Sequence, residues 1–298
     1  MFDTRPTLDC AGRALVLDRP RVMGIVNVTP DSFSDGGRHD DLESAVAHGL
    51  ALAAEGADIL DVGGESTRPG AEPVPVDVEL ARVVPVIERL VAETGLPVSV
   101  DTSKPEVMRA AVAAGAGMIN DVQALRQDGA LEAAAAAGVP VVLMHMQGSP
   151  GSMQDAPAYD DVVAEVHGFL AQRVFACEMA GIAKSRIVLD PGFGFGKTLA
   201  HNLELLARLD RLADLGCPVL AGLSRKRMLG ELTGRELDDR LAASVAAALL
   251  AVAQGAMLVR VHDVAATVDA LRVHAAVAPL RAPRAAGGAP TPRWSEED

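Results

Sequence analysis

The chain has 298 residues, with 40 acidic against 27 basic side chains and a formal net charge of −13. That balance excludes a general nucleic-acid binder, which needs a basic surface to neutralise phosphates, but leaves room for a local basic pocket. Hydrophobic residues make up 49% and aromatics only 3%, so a sizeable core must be built from Ala, Val and Leu, in one large α/β domain or two smaller ones.

Residues 1–21 precede the first long apolar run and are expected to form a hairpin or plug. They contain no apolar stretch of the kind a signal peptide carries. Cys10, Cys177 and Cys217 are scattered, odd in number and without CxxC spacing, which fits a reduced compartment with no disulfide framework. A cytoplasmic protein is therefore expected.

From residue 22 onward, short β-like runs alternate with helical patterns. The runs are Val22 to Val28, Ile59 to Val62, Val98 to Asp101, Met118 to Asn120, Val139 to Met144, Ile187 to Asp190, Val219 to Ala221 and Met257 to Val261. Each is bounded by Gly, Pro or a polar residue, as buried parallel strands are. Between them, Leu80, Val83, Val84, Ile87, Leu90 and Val91 follow the three–four spacing of one helical face. Leu241, Val245, Ala248, Leu249 and Val252 do the same. Pro85 interrupts the first pattern and should kink it or cost stability. Gly56, Gly95, Gly138 and Gly216 stand where helices would stop. The most membrane-like stretch, residues 242–259, is broken by Gln254-Gly255 and divides into a helix and a strand, so no membrane span is expected.

Eight strand–helix units in about 250 residues match the size and order of a TIM (β/α)8 barrel. An open doubly wound sheet uses the same units, but eight repeats favour closure. The predicted organisation is an N-terminal plug over 1–21, a barrel over 22–280, and a tail over 281–298. The tail, RAPRAAGGAPTPRWSEED, is expected to be disordered on its Pro, Gly, Ala and charge content.

In such a barrel the chemistry sits at the carboxyl ends of the strands. Here polar residues recur at that rim: Asn27, Asp61, Asp101, Asn120 with Asp121, His145, Asp190, Lys226, and Arg260 with His262. Taken singly, each has a plain structural reading. Asp101 before Thr-Ser-Lys could be a helix cap, and a lone His is usually a satisfied structural group. Eight polar strand ends in succession are hard to explain by caps alone. Two motifs fail on inspection. In GFGFGKT the Gly that a P-loop needs five residues before Gly196 is Pro191, and the glycines at 192, 194 and 196 are spaced GxGxG, not GxGxxG. There is no HExxH, no Ser-centred nucleophile elbow and no Cys/His zinc spacing.

GIVNVTPDSFSDGG, DVGGESTRPGA, SVDTSKPEV, INDV, LMHMQGSP, LDPGFGFGKT, GLSRKRMLG and RVHDV together resemble dihydropteroate synthase, in that family's order and over roughly 250 residues. The resemblance implies a TIM barrel. It also implies a folate-pathway transferase that joins 4-aminobenzoate to 6-hydroxymethyl-7,8-dihydropterin diphosphate, releasing diphosphate. It assigns Asp190, Asn120, Asp101 and Lys226 to the pterin, where a carboxylate can accept two hydrogen bonds from the flat amidine-like edge. Asn27, Thr67, Arg260 and His262 fall to the diphosphate, with Lys226, Arg260 and His262 as the catalytic group. Arg68, Pro69, Phe195 and Ser224 would shape the 4-aminobenzoate site. Mg²⁺ is the implied cofactor, with Asn27 as its protein contact and substrate oxygens and water completing the shell. TPDSFSDGG and GGESTRPG would be two loops closing over diphosphate and excluding water. A homodimer is implied as well, and His145 receives no role. Two rivals share parts of this pattern: the pterin-binding methyltransferase domain of corrinoid enzymes, and a non-catalytic paralogue.

Overall fold

The computed structural model describes residues 6–28, 38–66, 72–148, 151, 153–154 and 156–278. The tail 281–298 and the stretches 29–37 and 67–71 lie outside them. Strands β1 (Thr7–Cys10) and β2 (Arg13–Val16) pair antiparallel in a hairpin. Eight parallel strands follow: β3 (Arg21–Asn27), β4 (Ile59–Gly63), β5 (Val98–Asp101), β6 (Met118–Asp121), β7 (Val141–Met144), β8 (Ile187–Asp190), β9 (Leu220–Ala221) and β10 (Leu258–Val261). Hydrogen bonding runs β8-β7-β6-β5-β4-β3-β10-β9, and a parallel bridge between Leu189 and Val219 closes the ring. The sheet is thus a barrel, wrapped by helices α1 (Arg38–Ala54), α2 (Val76–Thr94), α3 (Pro105–Ala113), α4 (Ala130–Ala137), α5 (Val162–Met179), α6 (Leu199–Ala207), α7 (Arg227–Thr233), α8 (Leu241–Ala253) and α9 (Val264–Val277).

Period-two alternation along the strands decides what faces the barrel interior. Val22, Leu60, Val62, Val98, Val100, Ile119, Val141, Leu143, Ile187, Leu189 and Val259 point outward into the main core shared with the helices. Their neighbours Met23, Ile59, Met118, Val142, Val188, Leu220 and Leu258 point inward and form an apolar floor. Leu8, Cys10, Leu15 and Leu17 of the hairpin pack against that floor from below, plugging the amino-end mouth. The approach is close enough that a Cβ on Gly117 would lie 2.6 Å from the Cys10 carbonyl oxygen. One register step above the floor, the inward positions become polar. This change turns the carboxyl-end mouth into a site.

α2 runs as one helix from Val76 to Thr94 with Pro85 inside it, and the burial of Val83, Val86, Ile87 and Leu90 offsets the missing backbone donor. In α8 the buried side is Ser244, Ala247, Ala248, Ala251 and Val252; of the expected stripe Ala248 and Val252 are buried and Leu249 packs partly buried against the core, while Leu241 is exposed. The small residues Ser244, Ala247 and Ala251 let α8 approach the barrel closely.

Candidate active site

The inward alternation carries Asp61 on β4, Ser99 and Asp101 on β5, Asn120 on β6, Asp190 on β8 and Arg260 on β10 into one chamber above the floor. At its centre the Arg260 guanidinium donates through Nε to Asp61 Oδ2 at 2.6 Å and through Nη2 to Asp101 Oδ2 at 2.8 Å. Asn120 Nδ2 donates to the same Asp61 oxygen at 3.0 Å. That bond fixes the Asn120 amide, leaving its oxygen free to accept from a ligand. Asp61 is fully buried, and its second oxygen, like Ser99 Oγ, has no partner among the described residues. Burial raises the Asp101 carboxyl to about 7, against the pull of Arg260, with Asp61 adding repulsion. Burial likewise raises Asp190, opposed by the Gly192 N–H that donates to its Oδ1 at 2.7 Å and by Lys226.

Lys226 stands at the N-cap position just before α7, and its ammonium sits 4.1 Å from the centre of the Phe195 ring, a cation–π contact. Burial lowers its amine to about 8, with Asp190 pulling the other way and Arg260 adding to the fall. The loop that delivers Lys226 is held by Arg225, a non-glycine residue at φ +58°. Its guanidinium grips Asp263 with two bonds, of 3.2 and 2.6 Å, and its N–H donates to Ser244 Oγ at 2.9 Å. Holding a left-handed residue there costs on the order of 1 kcal/mol, which these bonds offset. The reward is alignment across β9 and β10: Ser224 Oγ lies 3.0 Å from His262 Nδ1 and accepts from the His262 N–H at 3.2 Å. Burial first, then Arg260, pushes His262 down to about 3, which makes it a neutral imidazole.

Among the described residues, the other mouth carries no comparable cluster. Asp58 there accepts from Arg19, Arg21 and the Val22 N–H, a fastening at the end of the barrel associated with stability.

The family model described as "Pterin binding enzyme" matches residues 23–262. Dihydropteroate synthase of Escherichia coli K12 is 55% identical over 262 residues, 88% of this chain and 93% of that protein. The chain belongs to the dihydropteroate synthase family. Among solved structures, Xanthomonas albilineans dihydropteroate synthase with 4-aminobenzoic acid superposes with a TM-score of 0.88 at 73% identity, covering 92% of this chain and 99% of that one. The same enzyme in complex with 7,8-dihydropteroate gives a TM-score of 0.84 at 70% identity, with the same coverages.

Of the residues that the dihydropteroate synthase resemblance singled out, the fold brings Asn27, Asp101, Asn120, Asp190, Lys226, Arg260, Ser224, His262 and Phe195 to the carboxyl-end mouth. Thr67, Arg68 and Pro69 lie outside the described residues, as do most of the two predicted closing loops. Asp101 is not a helix cap, since α3 starts only at Pro105 after Lys104. Asp121 is a turn organiser. Its carboxylate accepts from Ser103 Oγ and from the Gln123 and Leu125 N–H groups, so the plain structural reading holds for it. Three further residues organise the site: Asp61, which stands on the predicted rim but to which the resemblance gives no role, and Arg225 and Lys197, which the rim pattern does not contain. The role of Asp61 follows from its place two residues on from the floor residue Ile59, which faces it into the chamber. Arg225 and Lys197 carried no local signal.

Proposed function

We propose that this mouth carries out the dihydropteroate synthase reaction in folate biosynthesis, with labour divided among the residues described. The enzyme condenses 6-hydroxymethyl-7,8-dihydropterin diphosphate with 4-aminobenzoate to give 7,8-dihydropteroate and diphosphate. The observation that carries the assignment is the Arg260–Asp61–Asn120 connection: one buried carboxylate joins a cation suited to phosphate to an amide suited to a heterocycle edge. Asp190 accepts from the pterin amidine edge, and Asn120 presents its oxygen beside it. Asp101 and Lys226 complete the ring's surround. A chamber of buried polar groups of this kind rejects flat rings lacking the matching edge, because its own donors and acceptors would go unpaired.

The bond that breaks joins the pterin methylene carbon to a diphosphate oxygen, and the electron pair leaves with diphosphate. Arg260 and the neutral His262, as N–H donors, face that growing charge. The 4-aminobenzoate nitrogen then bonds to the carbon and loses a proton. An aniline nitrogen meeting an electron-poor carbon needs no strong base, and none is assigned. Phe195 and Ser224, with Arg68 and Pro69, form the proposed aminobenzoate side, and Thr67 joins the diphosphate side.

Mg²⁺ belongs to this reading. Asn27 ends β3 at the mouth, and its side-chain amide makes no hydrogen bond among the described residues, leaving a hard oxygen of the kind Mg²⁺ takes. Arg260 is already paired with two carboxylates, so much of its charge is neutralised before a diphosphate meets it. When bound, the ion would neutralise charge on the phosphate oxygens. The reading also includes a homodimer and a cytoplasmic setting. Exposed Leu250 on α8 and Val273 on α9, 57% and 66% accessible, offer apolar surface for a second copy. No helix among the described residues is long and apolar enough to cross a membrane.

The test is a coupled assay of diphosphate release with and without 4-aminobenzoate, on the parent and on Arg260→Ala and Asp190→Ala. The parent should release diphosphate only with the amine present, and both variants should stay folded yet lose more than about a thousandfold in turnover. Near-parent rates in both would overturn the site assignment.

A further inference from the structure

Lys197 is only 3% exposed, yet its ammonium meets no carboxylate within hydrogen-bond distance. Its Nζ donates to the Gly192 carbonyl at 2.9 Å and the Phe195 carbonyl at 3.0 Å, and lies 2.9 Å from His145 Nδ1. A fourth oxygen, the His145 carbonyl, stands at 3.4 Å. An ammonium has three hydrogens, and here they find three acceptors, provided Nδ1 carries none. Burial first and the Lys197 charge second lower His145 to about 3, and the contact with the Lys197 ammonium is met by the neutral tautomer that carries its proton on Nε2. Burial also lowers the Lys197 amine, to about 7, with Asp190 pulling the other way. The imidazole is braced edge-on against Phe169, with ring centres 4.9 Å apart.

These bonds tie two different loops together. His145 follows β7; Gly192 and Phe195 belong to the turn between β8 and α6. The turn is left-handed at Gly192 (φ +68°), Gly194 (φ +78°) and Gly196 (φ +61°). At Gly192 a Cβ would overlap the His145 carbonyl oxygen, so only glycine permits this approach. Tyr159 Oη donates to the Gly196 carbonyl and Gln154 to the Gly194 carbonyl, so the β7 side holds the turn along its length. The turn's working side chain is Phe195, whose ring meets Lys226.

We infer that Lys197 and His145 form a buried clamp that positions Phe195, and so sets recognition of the amine substrate without either residue touching it. The inference rests on the reading of Phe195 as a wall of the 4-aminobenzoate subsite. The Asp190 carboxyl feels the Lys197 charge, but its backbone is held independently, since its carbonyl accepts from the His145 N–H within the sheet at 2.9 Å. His145→Leu, which leaves the Lys197 charge in place, is therefore the cleaner test of selectivity. Lys197 is thus a positioning residue with a selective effect, on one substrate more than on the other.

The experiment measures steady-state KM for each substrate, with thermal melting, in the full chain and four variants. Lys197→Met keeps the stem and removes the donors; His145→Leu removes the acceptor; His145→Gln keeps one; Phe195→Ala tests the subsite itself. The clamp requires KM for 4-aminobenzoate to rise about tenfold or more in Lys197→Met and His145→Leu, with KM for the pterin diphosphate within about threefold. His145→Gln should restore the parent value to within about threefold. If Lys197→Met does not fold, His145→Leu and His145→Gln decide the matter. A lowered melting temperature with both KM values unchanged, or an equal rise in both, overturns the clamp. If Phe195→Ala leaves KM for 4-aminobenzoate unchanged, the subsite reading itself fails. If Phe195→Ala raises it and the clamp variants do not, only the clamp fails.

Discussion

Asp61→Asn separates two demands that the fold places on one carboxylate. The side chain is fully buried, and a single oxygen accepts from Arg260 Nε at 2.6 Å and from Asn120 Nδ2 at 3.0 Å. The amide has nearly the same volume, so no cavity forms, but the charge disappears and one acceptor becomes a donor that cannot face Arg260. A hydrogen bond to a charged group is worth about 1.5–3 kcal/mol. Arg260 keeps its second partner, Asp101 at 2.8 Å, so it stays in the chamber but loses its fixed angle. If that angle matters only as diphosphate departs, the loss appears in kcat/KM as roughly 10- to 150-fold. Stability should move little, within about 4 °C in melting temperature, because the variant also removes a buried charge with one unpaired oxygen. The assay is kcat/KM for the pterin diphosphate beside inhibition by free pyrophosphate, which reports the Arg260 side alone. Weaker pyrophosphate inhibition together with lower kcat/KM supports the connection. A variant within threefold of the parent in both refutes the idea that Asp61 aligns the two halves of the site.

Two further outcomes follow from charges already described. Lys226, lowered to about 8 by burial against the pull of Asp190, should lose its proton in the free enzyme above that pH. kcat/KM for the pterin diphosphate should then fall about tenfold per unit, and Lys226→Arg should abolish that limb; a limb unchanged in the arginine variant would discount Lys226. In stability the sign is opposite. The native state holds fewer protons than the unfolded chain between about 8 and 10.5, so this group's burial penalty is full below 8 and fades as pH rises to 10.5. At the other mouth, Asp58→Ala removes acceptors from Arg21, Arg19 and the Val22 N–H, and Arg19 is half-exposed. A loss of about 2–3 kcal/mol, or roughly 5–10 °C in melting temperature, is expected with kcat unchanged; a fall in kcat without a fall in melting temperature would contradict the division between the two mouths.

Much of this arrangement was legible in the residues because the strands are short, buried on both faces and punctuated. Ile187 to Asp190 announces itself by four residues and a proline, and its observed bounds are the same. The strand ending at Ala221 was harder. Only Leu220 and Ala221 pair as strand, and closure of the barrel passes through the Leu189–Val219 bridge, which no local pattern signals. The face of α8 is legible only in part, because an alanine-rich helix has no strong apolar stripe: Ala248 and Val252 face the barrel as their spacing implies, but size decides the rest, and Leu241 yields to Ala247 and Ala251.

The polar rim was legible for a different reason: a charged residue at the end of an apolar run has few structural excuses. What the rim residues do to one another was not. Arg260 and Asp61 are 199 positions apart, and Lys197 and His145 are 52 apart, so each pair exists only once barrel register sets strand ends side by side. Asp121 shows the converse. It ends a strand beside Asn120, equally polar and equally placed in sequence, but spends both oxygens on its own turn and on Ser103. The alternation of the pleat separates them: Asn120 shares the inward parity of Met118, and Asp121 that of the outward Ile119. A parity count from the floor residue of each strand, or from inward-facing Ser99 on β5, therefore sorts chamber residues from turn residues. Applied to β4, β5, β6, β8 and β10, it selects Asp61, Asp101, Asn120, Asp190 and Arg260 without reference to any family.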